Sequence, residues 1–144
     1  MNPIYLQRIS YKIKFLPLLP SFITYLIRFL FSCYLPHNIK LGKRFVLGYG
    51  GLGVVIHERT IIGNDCHIDQ NVTIGGTSKK YKVPKLGNHI YIGAGAKIIG
   101  PITIGDNVVI GANAVVTKDI PSGSLVVGIP GRIIKTGIKK SNYV

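Results

Sequence analysis

The chain is poor in acids. Five aspartates and glutamates stand against eighteen lysines and arginines over 144 residues, a formal net charge of +13. Such an excess predicts an anionic partner: nucleic acid, an acidic membrane surface or a phosphorylated small molecule. No aromatic-basic reading motif accompanies the charge, which argues against nucleic acid. Cysteine is also scarce. Cys33 and Cys66 are too few and too unpatterned for a disulfide scaffold or a zinc site, and a reducing, cytoplasmic compartment is the simplest reading.

A hydrophobic run of membrane-spanning length is missing too. FLPLLPSFITYLIRFLFSCYLP at 15–36 comes nearest, but Pro17 and Pro20 interrupt it and Arg28 sits within it. With Ser21 as N-cap and Pro36 as stop, it predicts a helix over Phe22–Tyr34. About thirteen residues at ~1.5 Å each cover ~20 Å of a hydrocarbon core that is ~30 Å thick. A secretory signal is not expected either, because no small-residue cleavage site follows before about residue 39. Two readings of this segment stand: a helix packed on the rest of the molecule or on a neighbouring subunit, or a basic, apolar anchor lying on the inner face of the cytoplasmic membrane.

Helical periodicity is absent from 56–116. Aliphatic residues instead recur every six positions, at Ile56, Ile62, Ile68, Ile74, Leu86, Ile92, Ile98, Ile104, Ile110 and Val116. Glycine often follows, and four positions on comes a small or apolar residue such as Cys66, Val72, Ala96 or Val108. Short strands with a turn at every sixth residue predict a parallel β-helix whose stacked coils share one aliphatic core. The stretch IGGTSKKYKVPKLG, Ile74 to Gly87, interrupts the repeat with an extruded loop carrying four lysines.

The stretches VTIGGT (72–77), IGAGAKIIG (92–100), IGDNVVIGANAVVTKDIP (104–121) and VVGIPGRII (126–134) together resemble the hexapeptide-repeat acyltransferases, in their serine acetyltransferase-like branch. The resemblance implies an all-β fold: a left-handed parallel β-helix with hexapeptide repeats, about eighteen residues per coil, preceded by a short N-terminal helical segment. We therefore expect helical residues 1–38, a β-helix over 39–135 and a basic tail over 136–144. It further implies a homotrimer that uses acetyl-CoA as acyl donor, with no metal and no acyl-enzyme. The coenzyme would lie against Gly75, Gly76, Thr77, Ser78 and Lys79, against Gly93, Ala94, Gly95, Ala96 and Lys97 one coil on, and against Ala112, Asn113, Pro130, Arg132 and Lys135 at its adenine and 3′-phosphate end.

Acyl transfer needs a group that takes a proton from the attacking hydroxyl, and histidine suits it near neutral pH. His57 is the candidate base, since it occupies a corner that does not require imidazole and stacks beneath residue 75 if coils are eighteen residues long. Tyr49, Glu58 and Asp69 are its candidate orienting or substrate-binding partners. His67 and His89 are expected to face solvent, and His37 precedes the repeat. Cys66 falls on an inward phase and is expected to be a core thiol, not a nucleophile. The three-histidine zinc site of β-helical carbonic anhydrases has no matching spacing in His57, His67 and His89.

Aligned on VTIGGT, the Asp-His pair of true serine acetyltransferases falls on Tyr49 and Gly50, and their Arg-His-Pro on Lys82, Val83 and Pro84. Residues 1–38 also hold no counterpart of their long helical domain. The sequence therefore points to a sugar of a surface polysaccharide as acceptor, as in short O-acetyltransferases in which a YGGLG stretch leads to VIH. Serine O-acetylation is the alternative, and a non-catalytic scaffold is the reading from another class.

Overall fold

The computed structural model describes residues 2–16 and 18–144. Helix α1, Pro3–Lys12, is capped by Asn2, whose side chain accepts from the Ile4 amide at 2.8 Å. Helix α2 runs Leu19–Phe31, three residues earlier at each end than its sequence suggests. Pro20 falls within its first turn, where a missing amide costs nothing, so this proline opens the helix and does not break it. Leu18, at φ 66°, takes the N-cap position without a side-chain bond, and Ser32 ends the helix in the left-handed region. The interruption expected at Pro17 lies outside the described residues.

Pro20, Thr24 and Ile27 of α2 are buried, and Ile27 belongs to the main core. The helix therefore packs on the molecule, as one of the two sequence readings held. Phe22, Tyr25 and Phe29 on its outer side are exposed. Among the described residues no helix is long and apolar enough to cross a membrane.

The chain then winds a left-handed β-helix of three flat faces. The first face stacks Lys40–Leu41, Ile61–Ile62, Lys85–Leu86 and Thr103–Ile104, all parallel. The second stacks Val46–Leu47, His67–Ile68, Tyr91–Ile92, Val109–Ile110 and Leu125–Val127, and Arg132–Lys135 closes it as an antiparallel edge. The third stacks Val55–Ile56, Thr73–Gly75, Lys97–Ile99 and Val115–Val116. Each hexad aliphatic points inward: Ile56, Ile68, Ile74, Ile92, Ile98, Ile104 and Ile110 have no exposed surface. The four-on residues Cys66, Val72, Ile90, Ala96, Val108 and Ala114 share that core.

Corners dictate glycine where coils touch. At the corner after the first face, a Cβ on Gly63 would strike the carbonyl oxygen of Gly87 in the next coil, so no side chain fits. The tail after the last strand docks rather than trailing: Ile138 is buried, and Lys140 Nζ donates to the Asp65 carbonyl at 3.1 Å.

Candidate active site

The third corner, following the third face, gathers the first set of predicted residues. Val55 and Ile56 pair with Thr73 and Ile74, so His57 stands one rung from Gly75, and its amide donates to the Ile74 carbonyl at 2.8 Å. Gly100 joins them from the next coil, its amide 2.9 Å from the Gly75 carbonyl. Gly75 and Gly76 are half-buried, and Thr77, Ser78 and Lys79 are exposed on the extruded loop. That loop is pinned: the Arg59 guanidinium lies 4.1 Å from the Tyr81 ring centroid, a cation–π contact across one coil. Val83 is buried at the loop's base, where a Cβ on Gly76 would lie 3.2 Å from its Cγ1.

The half-buried His57 imidazole has a partner that the sequence did not suggest. Its Nδ1 accepts from the Arg59 amide at 3.2 Å. An imidazole accepting at Nδ1 carries its proton on Nε2, so in this arrangement His57 offers an N–H, not a lone pair. The general-base role expected of His57 needs the other tautomer, with the lone pair on Nε2. Within one copy of the chain no hydrogen bond joins the ring to the expected orienting partners: Glu58 is exposed beside it, and Tyr49 and Asp69 stand at a different corner.

That second corner, following the second face, collects Tyr49, Asp69, Gly93, Ala94, Gly95, Ala112 and Asn113. Tyr49 is 83% exposed on the turn Gly48–Gly51, with φ at 49°. Asp69 lies against Gly48, where a Cβ would come within 2.5 Å of Oδ1. Its other oxygen accepts from the Tyr91 hydroxyl at 2.5 Å, and His67 Nε2 is 3.1 Å from Oδ1. The His67 and Tyr91 rings meet edge to face at 5.4 Å. The bond to Asp69, together with partial burial, raises the Tyr91 hydroxyl to about 12.

His67 is thus not the solvated surface residue expected; its side chain is 25% exposed. The signal was present in the sequence. His67 and Asp69 flank Ile68, His67 on the strand and Asp69 on the corner that follows it, close enough in sequence for one to meet the other.

Two members of the predicted coenzyme set do other work. Ala96 is fully buried in the core and cannot line a groove, and Lys97 Nζ is engaged by the Asn71 carbonyl at 2.7 Å. Pro130, Arg132 and Lys135 are exposed near the end of the β-helix. There Pro130, Gly131 and Arg132 line a small cleft of about 120 Å³ with Lys118, a second cation that the sequence reading left out. Cys66 is the core thiol expected, pushed up to about 11 by burial, as is Cys33. Among the described residues no three His, Cys, Asp or Glu side chains converge as a metal site.

A family model described as bacterial transferase hexapeptide (six repeats) matches residues 84–118. A serine acetyltransferase of Synechococcus elongatus is 44% identical over 127 residues, covering 86% of this chain and 52% of its own length. The chain belongs to the hexapeptide-repeat acyltransferases, on their serine acetyltransferase-like branch. Solved members superpose closely on this hexapeptide-repeat chain. Serine acetyltransferase from Brucella abortus strain S19, in complex with coenzyme A, gives a TM-score of 0.88 at 30% identity, covering 94% of this chain and 56% of the other. The soybean serine acetyltransferase complexed with serine gives 0.86 at 32% identity, covering 92% and 56%. The chain therefore spans about half the length of the relatives it matches.

Proposed function

We propose that this chain is an acetyl-CoA-dependent O-acetyltransferase whose acceptor is the hydroxyl of serine. What carries the reading is its likeness to serine acetyltransferases across nearly the whole chain, on a β-helix whose second and third corners hold the glycines expected to meet the coenzyme. Those corners flank the third face. Gly75 and Gly76 bring backbone groups to the pantetheine arm, the exposed Thr77 and Ser78 offer hydroxyls to it, and Lys79, Arg132 and Lys135 meet its phosphates as point charges. His57, with its proton on Nε2, donates a hydrogen bond to the thioester oxygen as negative charge develops there. The acceptor oxygen attacks the carbonyl carbon directly and the carbon–sulfur bond breaks. Residues of both corners serve one site when neighbouring copies pack corner to corner, and a homotrimer is the assembly we assign.

Serine takes precedence over the surface-polysaccharide sugar expected from the sequence, because the matched relatives are named for serine and one solved relative is complexed with it. A sugar acceptor keeps one specific support: Tyr49, exposed among Gly48, Gly50 and Gly51, is an open aromatic platform suited to a sugar ring. Thiol release from acetyl-CoA, measured with serine against a panel of nucleotide sugars and oligosaccharides, tests both. Serine is expected to give the highest kcat/KM. A glycan that exceeds it would turn the assignment to the sugar, and no thiol release above the hydrolytic background with any acceptor would favour a scaffold.

A further inference from the structure

Four histidines are present, and they differ in what holds them. His57 accepts at Nδ1 from a backbone amide. His89 is 52% exposed and 3.9 Å from Asp65, whose carboxylate is already taken by Arg44 in two hydrogen bonds. His37 has no carboxylate beside it among the described residues. His67 has a carboxylate, not taken by an arginine, 3.1 Å from a ring nitrogen that makes no hydrogen bond, and that nitrogen, Nε2, is buried.

The carboxylate is itself held. Tyr91 donates to Asp69 Oδ2, and Oδ1 lies against Gly48, 2.5 Å from where a Cβ would stand. Nε2 sits 3.1 Å from Oδ1, off the hydrogen-bonding line, so the contact is electrostatic and not a hydrogen bond. An anion beside Nε2 draws the imidazole proton to that atom and leaves the lone pair on Nδ1. This is the arrangement of a proton acceptor: a base, an orienting carboxylate, and a third group fixing the carboxylate. The unit ends at the corner from which Tyr49 projects, with Asp69 lying against Gly48 there.

We infer that His67 is the general base of the acetyl transfer, with Asp69 and Tyr91 as its positioning residues. The inference rests on the acetyltransferase reading above and supplies the lone pair that His57 lacks. Nδ1 of His67 takes the proton of the acceptor hydroxyl as its oxygen bonds to the acetyl carbonyl carbon. The tetrahedral oxyanion collapses, the carbon–sulfur bond breaks, and sulfur leaves with the electron pair. The His67 imidazolium returns its proton to that sulfur, giving free coenzyme A, the acetyl ester and a neutral base.

The test uses the full chain, with acetyl-CoA and serine. His67→Ala is expected to lower kcat by about 10² to 10⁴ while the KM for acetyl-CoA stays within about twofold, and imidazole added to the buffer restores part of the rate. His67→Asn, closer in shape, shows the same loss if the imidazole and not packing matters. Asp69→Asn lowers kcat by about tenfold or more without changing the KM for acetyl-CoA. Nitrogen-15 spectra of the wild-type ring should show Nε2 protonated and Nδ1 bare. His67→Ala with kcat within about threefold of wild type, or a ring protonated at Nδ1, overturns the inference. If the wild type releases no thiol with any acceptor, the acetyltransferase reading has failed, and the ring spectra still decide whether Asp69 orients His67.

Discussion

Asp69 Oδ1 occupies the space that a side chain on Gly48 would need: a Cβ there would lie 2.5 Å from that oxygen and 3.2 Å from the Asp69 Cα. The two residues are neighbours because Leu47 and Ile68 pair in register, which puts the next residue of each coil side by side at the corner. Gly48→Ala therefore cannot leave Asp69 in place. The carboxylate must swing outward and break its bond with Tyr91, at about 1–2 kcal/mol for a partly buried charged hydrogen bond. The check is a Tyr91 hydroxyl that titrates back toward its ordinary value by ultraviolet absorbance. Retention of the raised titration would mean that the corner backbone moves instead.

The Tyr91 hydroxyl also sets a pH dependence. Its folded value of about 12 lies above the ordinary 10, chiefly because its proton is shared with the Asp69 carboxylate. Above pH 10 the unfolded chain loses this proton while the folded chain keeps it. The stabilisation is thus complete below about pH 10 and is lost as pH climbs toward 12. Tyr91→Phe should unfold with a shallower alkaline loss than wild type, read as the difference between urea midpoints taken below pH 10 and at about pH 11. Parallel losses in the two proteins would show that the bond is not maintained in solution.

The core was readable because a six-residue repeat determines which side chain points inward, and Ile56 through Val116 obey it. The His67 unit was not read, for a geometric reason. Ordinary coils advance eighteen residues, as from Val55 to Thr73, and by that count His67 sits beneath residue 85. The extruded loop lengthens its coil, so His67 pairs with Tyr91, twenty-four residues on. Phase alone gave His67 an outward direction and said nothing about which ring would stand above it. The His57 tautomer was equally hidden, because it depends on the Arg59 backbone amide and no side-chain pattern encodes that. Helix α2 began early because proline was counted as a breaker at a position where it serves as a starter.

Glycines at the first corner carry stability rather than chemistry. Gly63 lies between Gly42 and Gly87, and a methyl group on it would meet the Gly87 carbonyl, which is part of the backbone and cannot rotate away. Its own backbone is not in the left-handed region, so the penalty of Gly63→Ala is steric alone. Overpacking of this kind costs about 1–3 kcal/mol, and a thermal melt should show a fall in Tm of several degrees. Gly137→Ala is not an equivalent control, because φ there is 70°. A Gly63→Ala protein as stable as wild type would show that neighbouring coils can separate at this corner.

The coenzyme's phosphates give the last prediction. Arg132 is exposed at the mouth of the small cleft it shares with Lys118 and Pro130, and Lys79 is exposed on the extruded loop. Neither cation is paired with a carboxylate: the salt bridges among the described residues involve Arg44, His67 and His89. An unpaired cation is free to meet a ligand's anion, and the attraction weakens as salt screens it. If Arg132 meets the 3′-phosphate, Arg132→Glu weakens binding of coenzyme A by about tenfold or more while dephospho-coenzyme A changes by less than about threefold, because only the first carries that group. Lys79→Glu distinguishes the two ends of the ligand: a contact with the diphosphate instead weakens both ligands alike. Calorimetric titrations of each ligand into each variant at two ionic strengths read this directly. Equal losses for both ligands in Arg132→Glu would remove Arg132 from the 3′-phosphate, and no loss for either in both variants would move the coenzyme away from the third and second corners altogether.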